Sequence, residues 1–93
     1  MNRAVRLNPG SPDAHYHRGS LLMAAGQPEL AIQDFSEAIR LNPRHTDAYT
    51  RRGLMYTLID KDAEARQDFE QAVQLGAERA NLEVQAGQVR RRR

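Results

Sequence analysis

Residues 31–43 read AIQDFSEAIRLNP, and the pattern returns from Ala65 as ARQDFEQAVQLGA. Its tail has also appeared one such interval earlier, as AVRLNP at Ala4–Pro9. The step from Ala4 to Ala38 and on to Ala72 is constant, giving a 34-residue period. A fixed period of this length marks stacked supersecondary units, none of which can bury its apolar face alone. The register dictates an elongated stack of similar pieces and excludes a fold with one thick centre.

Composition agrees with a thin, layered core. The 93 residues are 40% apolar but include only two Phe, three Tyr and no Trp. There is no cysteine, so neither a disulfide framework nor a thiolate metal site is available. No apolar run approaches the ~20 residues of a membrane span. The opening MNRAVRLNPG lacks the apolar segment of a signal peptide. The compartment is therefore unknown, with the cytoplasm as the default expectation. The net charge of +2 conceals an asymmetry: four of the 14 basic residues are Arg90–Arg93, and the other ten are outnumbered by 12 acids. A body of that sign does not carry the broad basic face of a nucleic-acid-binding domain.

Residues 1–10 begin in mid-pattern, because Ala4, Val5 and Leu7 take the slots of Ala38, Ile39 and Leu41. They read as the end of a second helix whose own partner is missing, and the exposed apolar edge predicts weak self-association there. Residues 11–45 and 46–76 form the two full units. In the first, Ser11-Pro12-Asp13 is a helix start, and the helix is expected to reach about Ala25, with Gly26 as its left-handed stop. Pro28 opens a second helix that ends at Asn42-Pro43. In the second unit Thr46 is the expected cap and His45 a loop residue. Helices are predicted over 48–59 and 63–75, separated by Asp60-Lys61-Asp62 and closed by Gly76. Residues 77–93 supply a fifth, capping helix with a basic tail, expected to be frayed and solvated at its end.

Between 12–45 and 46–79, ten positions are identical, among them Arg18/Arg52, Gly19/Gly53, Asp34/Asp68 and Phe35/Phe69. Small residues recur where helices approach closely, and Phe recurs where a gap must be filled. Both Phe35 and Phe69 are therefore expected among the most buried side chains. An arginine facing its own second helix cannot be buried unpaired, so Arg18–Asp34 and Arg52–Asp68 ion pairs are predicted.

These residues resemble the tetratricopeptide repeat family, whose pattern is W-x2-L-G-x2-Y, A-x3-F, then P. His15-x2-Arg18-Gly19-x2-Leu22, Ala31-x3-Phe35 and Pro43 fill the first repeat. Tyr49-x2-Arg52-Gly53-x2-Tyr56, Ala65-x3-Phe69 and Ala77 fill the second. The resemblance implies an all-α, right-handed superhelical solenoid of antiparallel helix–turn–helix repeats. Its concave face, lined by the first helix of each repeat, would take an extended peptide or a partner helix. If Ala14, Gly19 and Leu22 face their own second helix, the groove receives Asp13, Tyr16, His17, Ser20 and Met23. The repeat step adds Asp47, Thr50, Arg51, Leu54 and Thr57, then Asn81, Val84, Gln85 and Gln88. Some family members clamp the terminal carboxylate of heat-shock chaperones with Lys, Asn and Arg side chains. The matching slots here hold Tyr16, Ser20, Arg51, Asn81 and Gln85, so only the arginine is in place and that clamp is not expected.

Chemistry beyond binding finds little support. His15 and His17 stand two apart and point to different faces of a helix. Asp60, Asp62 and Glu64 suggest a calcium loop, but its sixth and twelfth places hold Ala65 and Gln71 rather than Gly and Glu. No triad spacing or phosphate-binding glycine loop is present, so neither an enzyme nor a cofactor is expected. The reading is a protein–protein interaction scaffold. The alternatives are a structural end piece of a longer repeat protein and weak nucleic-acid binding through the arginine tail.

Overall fold

The computed structural model describes residues 10–93, which form five α-helices: α1 (Pro12–Ala24), α2 (Pro28–Leu41), α3 (Thr46–Leu58), α4 (Asp62–Gln74) and α5 (Arg79–Arg92). No strand occurs among the described residues. The expected contribution of residues 1–10 to self-association falls, apart from Gly10, outside them.

Local chemistry sets each boundary. The Ser11 hydroxyl accepts from the Ala14 amide at 3.2 Å and caps α1. At the other end the amides of Gly26 and Gln27 donate to Met23 O and Leu22 O, with Gly26 at φ +76°. The same closure recurs one period on, where Lys61 N donates to Tyr56 O at 2.8 Å and Asp60 takes φ +70°. Asp60 thus adopts the left-handed conformation that Gly26 adopts in the first unit. One expectation is corrected at the start of α3. His45, not Thr46, is the cap, its Nδ1 accepting from the Ala48 amide at 3.2 Å. The fifth helix starts at Arg79, later than the sequence pattern placed it.

Within each unit the two helices pack around one phenylalanine. Phe35 is fully buried beside Ala31 and Met55. It can approach α1 because Gly19 has no side chain: a Cβ there would stand 2.8 Å from the ring. Both predicted ion pairs form, and Arg18 grips Asp34 through Nε and Nη2 at 2.7 Å each. Arg52 does the same to Asp68. His15 is buried, its Nδ1 3.6 Å from Asp34 Oδ1.

The second unit departs from the first at its outer side. Phe69 is only half-buried, contrary to expectation. In the first unit α3 packs closely along α2, whereas α5 packs chiefly on α3 and touches α4 less. The residues that would close the gap have shrunk or become charged: Tyr49, Arg52 and Met55 are answered one period later by Glu83, Ala86 and Val89. A cleft of about 300 Å³ is left between α4 and α5.

The basic tail is also corrected. The helix continues through Arg92, and Arg93 is tied down rather than frayed. Its Nη1 donates to Thr57 O at 2.7 Å and lies 3.0 Å from both Asp60 and Asp62 carboxylates. Thr57 O is one of the last carbonyls of α3, and a cation there also suits the helix dipole.

Candidate functional site

The first helices of the units, α1, α3 and α5, share one face, with α3 touching both neighbours. A linked set of side chains occupies its middle. Because His45 Nδ1 accepts from Ala48, the ring proton sits on Nε2, which donates to Asp13 Oδ1 at 3.1 Å. The His45 ring lies 4.8 Å from that of Tyr16, and Tyr16 in turn lies 5.7 Å from Phe35. Above Tyr16, with its guanidinium 5.4 Å from the ring centroid, stands Arg51. Arg51 Nη1 donates to Ser20 Oγ at 3.2 Å, and the Ser20 hydroxyl donates to Tyr16 O at 3.0 Å.

Arg51 is therefore fixed in place by an aromatic face and a neutral hydroxyl. Among the described residues no carboxylate lies within ion-pair distance of it, in contrast to Arg18 and Arg52. A positioned cation of this kind offers several N–H donors to an incoming carbonyl or carboxylate.

Two open clefts flank this centre. One, of about 410 Å³, lies between the first turns of α3 and α5 and brings together Asp47, Thr50, Asn81 and Gln85. Glu78 and the backbone turn at Gly76, with φ +116°, complete its rim. The other, of about 350 Å³, lies at the opposite ends of α1, α3 and α5, lined by Met23, Leu54, Met55, Leu58 and Val89 with Arg92 at the edge. The face is polar at one end, apolar at the other and cationic between.

Most of the predicted groove residues fall on this face. Asp13 and His17 are exposed at its margin, and Val84 and Gln88 are exposed on α5, Val84 at 60%. Thr57 does not belong to it. It is fully buried near the end of α3, where Arg93 reaches its carbonyl, and its hydroxyl donates to Gly53 O at 2.9 Å. Sequence reasoning missed His45, which looked like an ordinary loop residue, and of the apolar end of the face it named Met23 and Leu54 but not Met55, Leu58 or Val89. A signal for the rest of that cleft existed: Ala24, Leu58 and Arg92 stand at the repeat step from one another and line it together.

Among the described residues no group of three or more His, Cys, Asp or Glu side chains could hold a metal ion. No described helix is long and apolar enough to cross a membrane. Comparison with protein-family models matches residues 12–45 and 46–76, each to a model described as tetratricopeptide repeat. No curated protein matches the sequence.

Proposed function

The chain belongs to the tetratricopeptide repeat family, and we propose that it binds a peptide segment of a partner protein across α1, α3 and α5. Repeats of this family generally mediate protein–protein interaction and typically act as scaffolds without catalysis. The observation that carries the finer reading is Arg51. A half-buried guanidinium held by Ser20 and Tyr16, and lacking a carboxylate within reach, stands between a polar and an apolar cleft. Apolar side chains of a ligand would enter beside Met23, Leu54 and Val89. Its backbone carbonyls or acids would meet Arg51, and polar groups would meet Asn81 and Gln85. The arginine tail plays no necessary part in this reading, since Arg93 is already engaged by Asp60 and Asp62.

Selection from a random dodecapeptide display library on the full chain tests the proposal. Peptides recovered on the parent should be lost on Arg51→Gln and on Leu54→Asp. Recovery of none, or recovery indifferent to both changes, would overturn it.

A further inference from the structure

At the apolar end of the face one register position carries three unlike residues, Ala24 on α1, Leu58 on α3 and Arg92 on α5. Alanine leaves room, leucine supplies a wall, and arginine brings the one charge among the described residues that line the cleft. Met55 also lines it, almost wholly buried and part of the cluster around Phe35. Met23, Leu54 and Leu58 pack on that cluster yet stay half-exposed. The cleft of about 350 Å³ is thus an opening onto the core. Methionine side chains bend to fit, so such a wall accepts a large apolar guest of varied shape.

Arg92 is exposed at the rim of this opening. Among the described residues no carboxylate lies within ion-pair distance of it, whereas Arg93 beside it takes up both Asp60 and Asp62. The acids that line the face, Asp47 and Glu78, belong to the cleft at its opposite end. A carboxylate arriving with an apolar side chain therefore meets a cation and no competing acid in the cleft. The arginine fork can hold it through two parallel hydrogen bonds while the stem covers apolar surface. In an extended segment, residues two apart point the same way and stand roughly 7 Å apart. That spacing suits Val89 and Arg92, which lie close to one turn apart on α5.

We infer that this cleft sets which segments of a partner protein the face prefers: those with a large apolar residue and an aspartate or glutamate two positions away. The apolar side chain enters between Met23, Leu54 and Val89, and the acid pairs with Arg92. The inference rests on peptide binding by the face, as proposed above. Binding itself does not require Arg92, which acts on the choice among ligands.

Display selection with the dodecapeptide library on the full chain, sequenced in depth and repeated on Arg92→Glu, tests the inference. Peptides recovered on the parent should share an apolar residue with an acid two positions away. On Arg92→Glu the apolar residue should persist and Lys or Arg should replace the acid. In fluorescence anisotropy a parent-selected peptide should weaken by about tenfold on Arg92→Glu and regain most of that when its acid is changed to Lys. Arg91→Glu makes the same change of net charge at an exposed position outside the cleft, and should shift affinity by less than about twofold. Circular dichroism of both variants checks that they fold. Recovered peptides without the apolar–acid pair, equal losses on Arg91→Glu and Arg92→Glu, or no rescue by Lys would overturn the inference and leave peptide binding by the face intact. Recovery of no peptide would overturn both. A self-association that sedimentation shows, and that Arg92→Glu but not Arg91→Glu abolishes, would also overturn the inference, because the occupant would then be a second copy.

Discussion

Arg52 holds Asp68 with two parallel hydrogen bonds, from Nε at 2.9 Å and from Nη2 at 2.7 Å, while the carboxylate is almost wholly withdrawn from water. Burial pushes the Asp68 carboxyl above its ordinary range and the arginine pulls it back only in part, while Asp68 holds the Arg52 guanidinium further up. The remaining Arg52 nitrogen donates to Ser36 on α2, so one side chain ties three helices.

Loss of one partner therefore exposes the cost of the other. Arg52→Ala should destabilise by about 3 kcal/mol, because Asp68 is left buried without its counter-charge. Arg52→Ala with Asp68→Leu should recover most of that. Urea denaturation of the two variants checks it. A single-variant cost well under ~1 kcal/mol would mean that the pair behaves like a surface bridge.

The two phenylalanines and their glycines should respond unequally. Phe35→Ala, in a closed environment, should cost about 3–5 kcal/mol. Phe69→Ala should cost clearly less, since one side of the ring already faces the α4–α5 cleft. For the same reason Gly19→Ala should be costlier than Gly53→Ala, although the latter's Cβ contact is the shorter. Phe69 has room to give way and Phe35 does not. Thermal melts of the four variants decide it, and equal losses in both units would contradict the difference in enclosure.

The hold of Arg93 on α5 should depend on pH. Its hydrogen bond lowers the Asp62 carboxyl below the ordinary aspartate value. Stabilisation from this group is therefore present above the unfolded aspartate value and disappears as the pH falls through the depressed native one. Amide exchange in α5 should accelerate across that acidic interval relative to α1, and added salt should act in the same direction. Arg93→Gln should remove the pH dependence. An unchanged profile in that variant would show that Asp62 does not anchor the helix.

Much of this was legible in the 34-residue period. It located the helix pairs, the packing positions held by the recurring Gly and Phe, and both Arg–Asp pairs, because each depends on residues at fixed spacing within one unit. Thr57 and Phe69 escaped it for a common reason. Their surroundings depend on where α5 lies, and that follows from Glu83, Ala86 and Val89 replacing larger or aromatic side chains, a change of volume that a shared register conceals. His45 escaped because its bond to Asp13 joins residues 32 apart, off the repeat step. Arg93 escaped because a run of arginines resembles a solvated tail until Asp60 and Asp62 are placed beside it.

Peptide binding across α1, α3 and α5 is read out at residue level by titrating isotope-labelled chain with a peptide recovered by display and following amide chemical shifts. Changes should concentrate at Tyr16–Ser20, Thr50–Leu54 and Asn81–Gln85, and should disappear in Arg51→Gln. Changes confined to α2 and α4, with Arg51 and Tyr16 unmoved, would contradict that mode of binding.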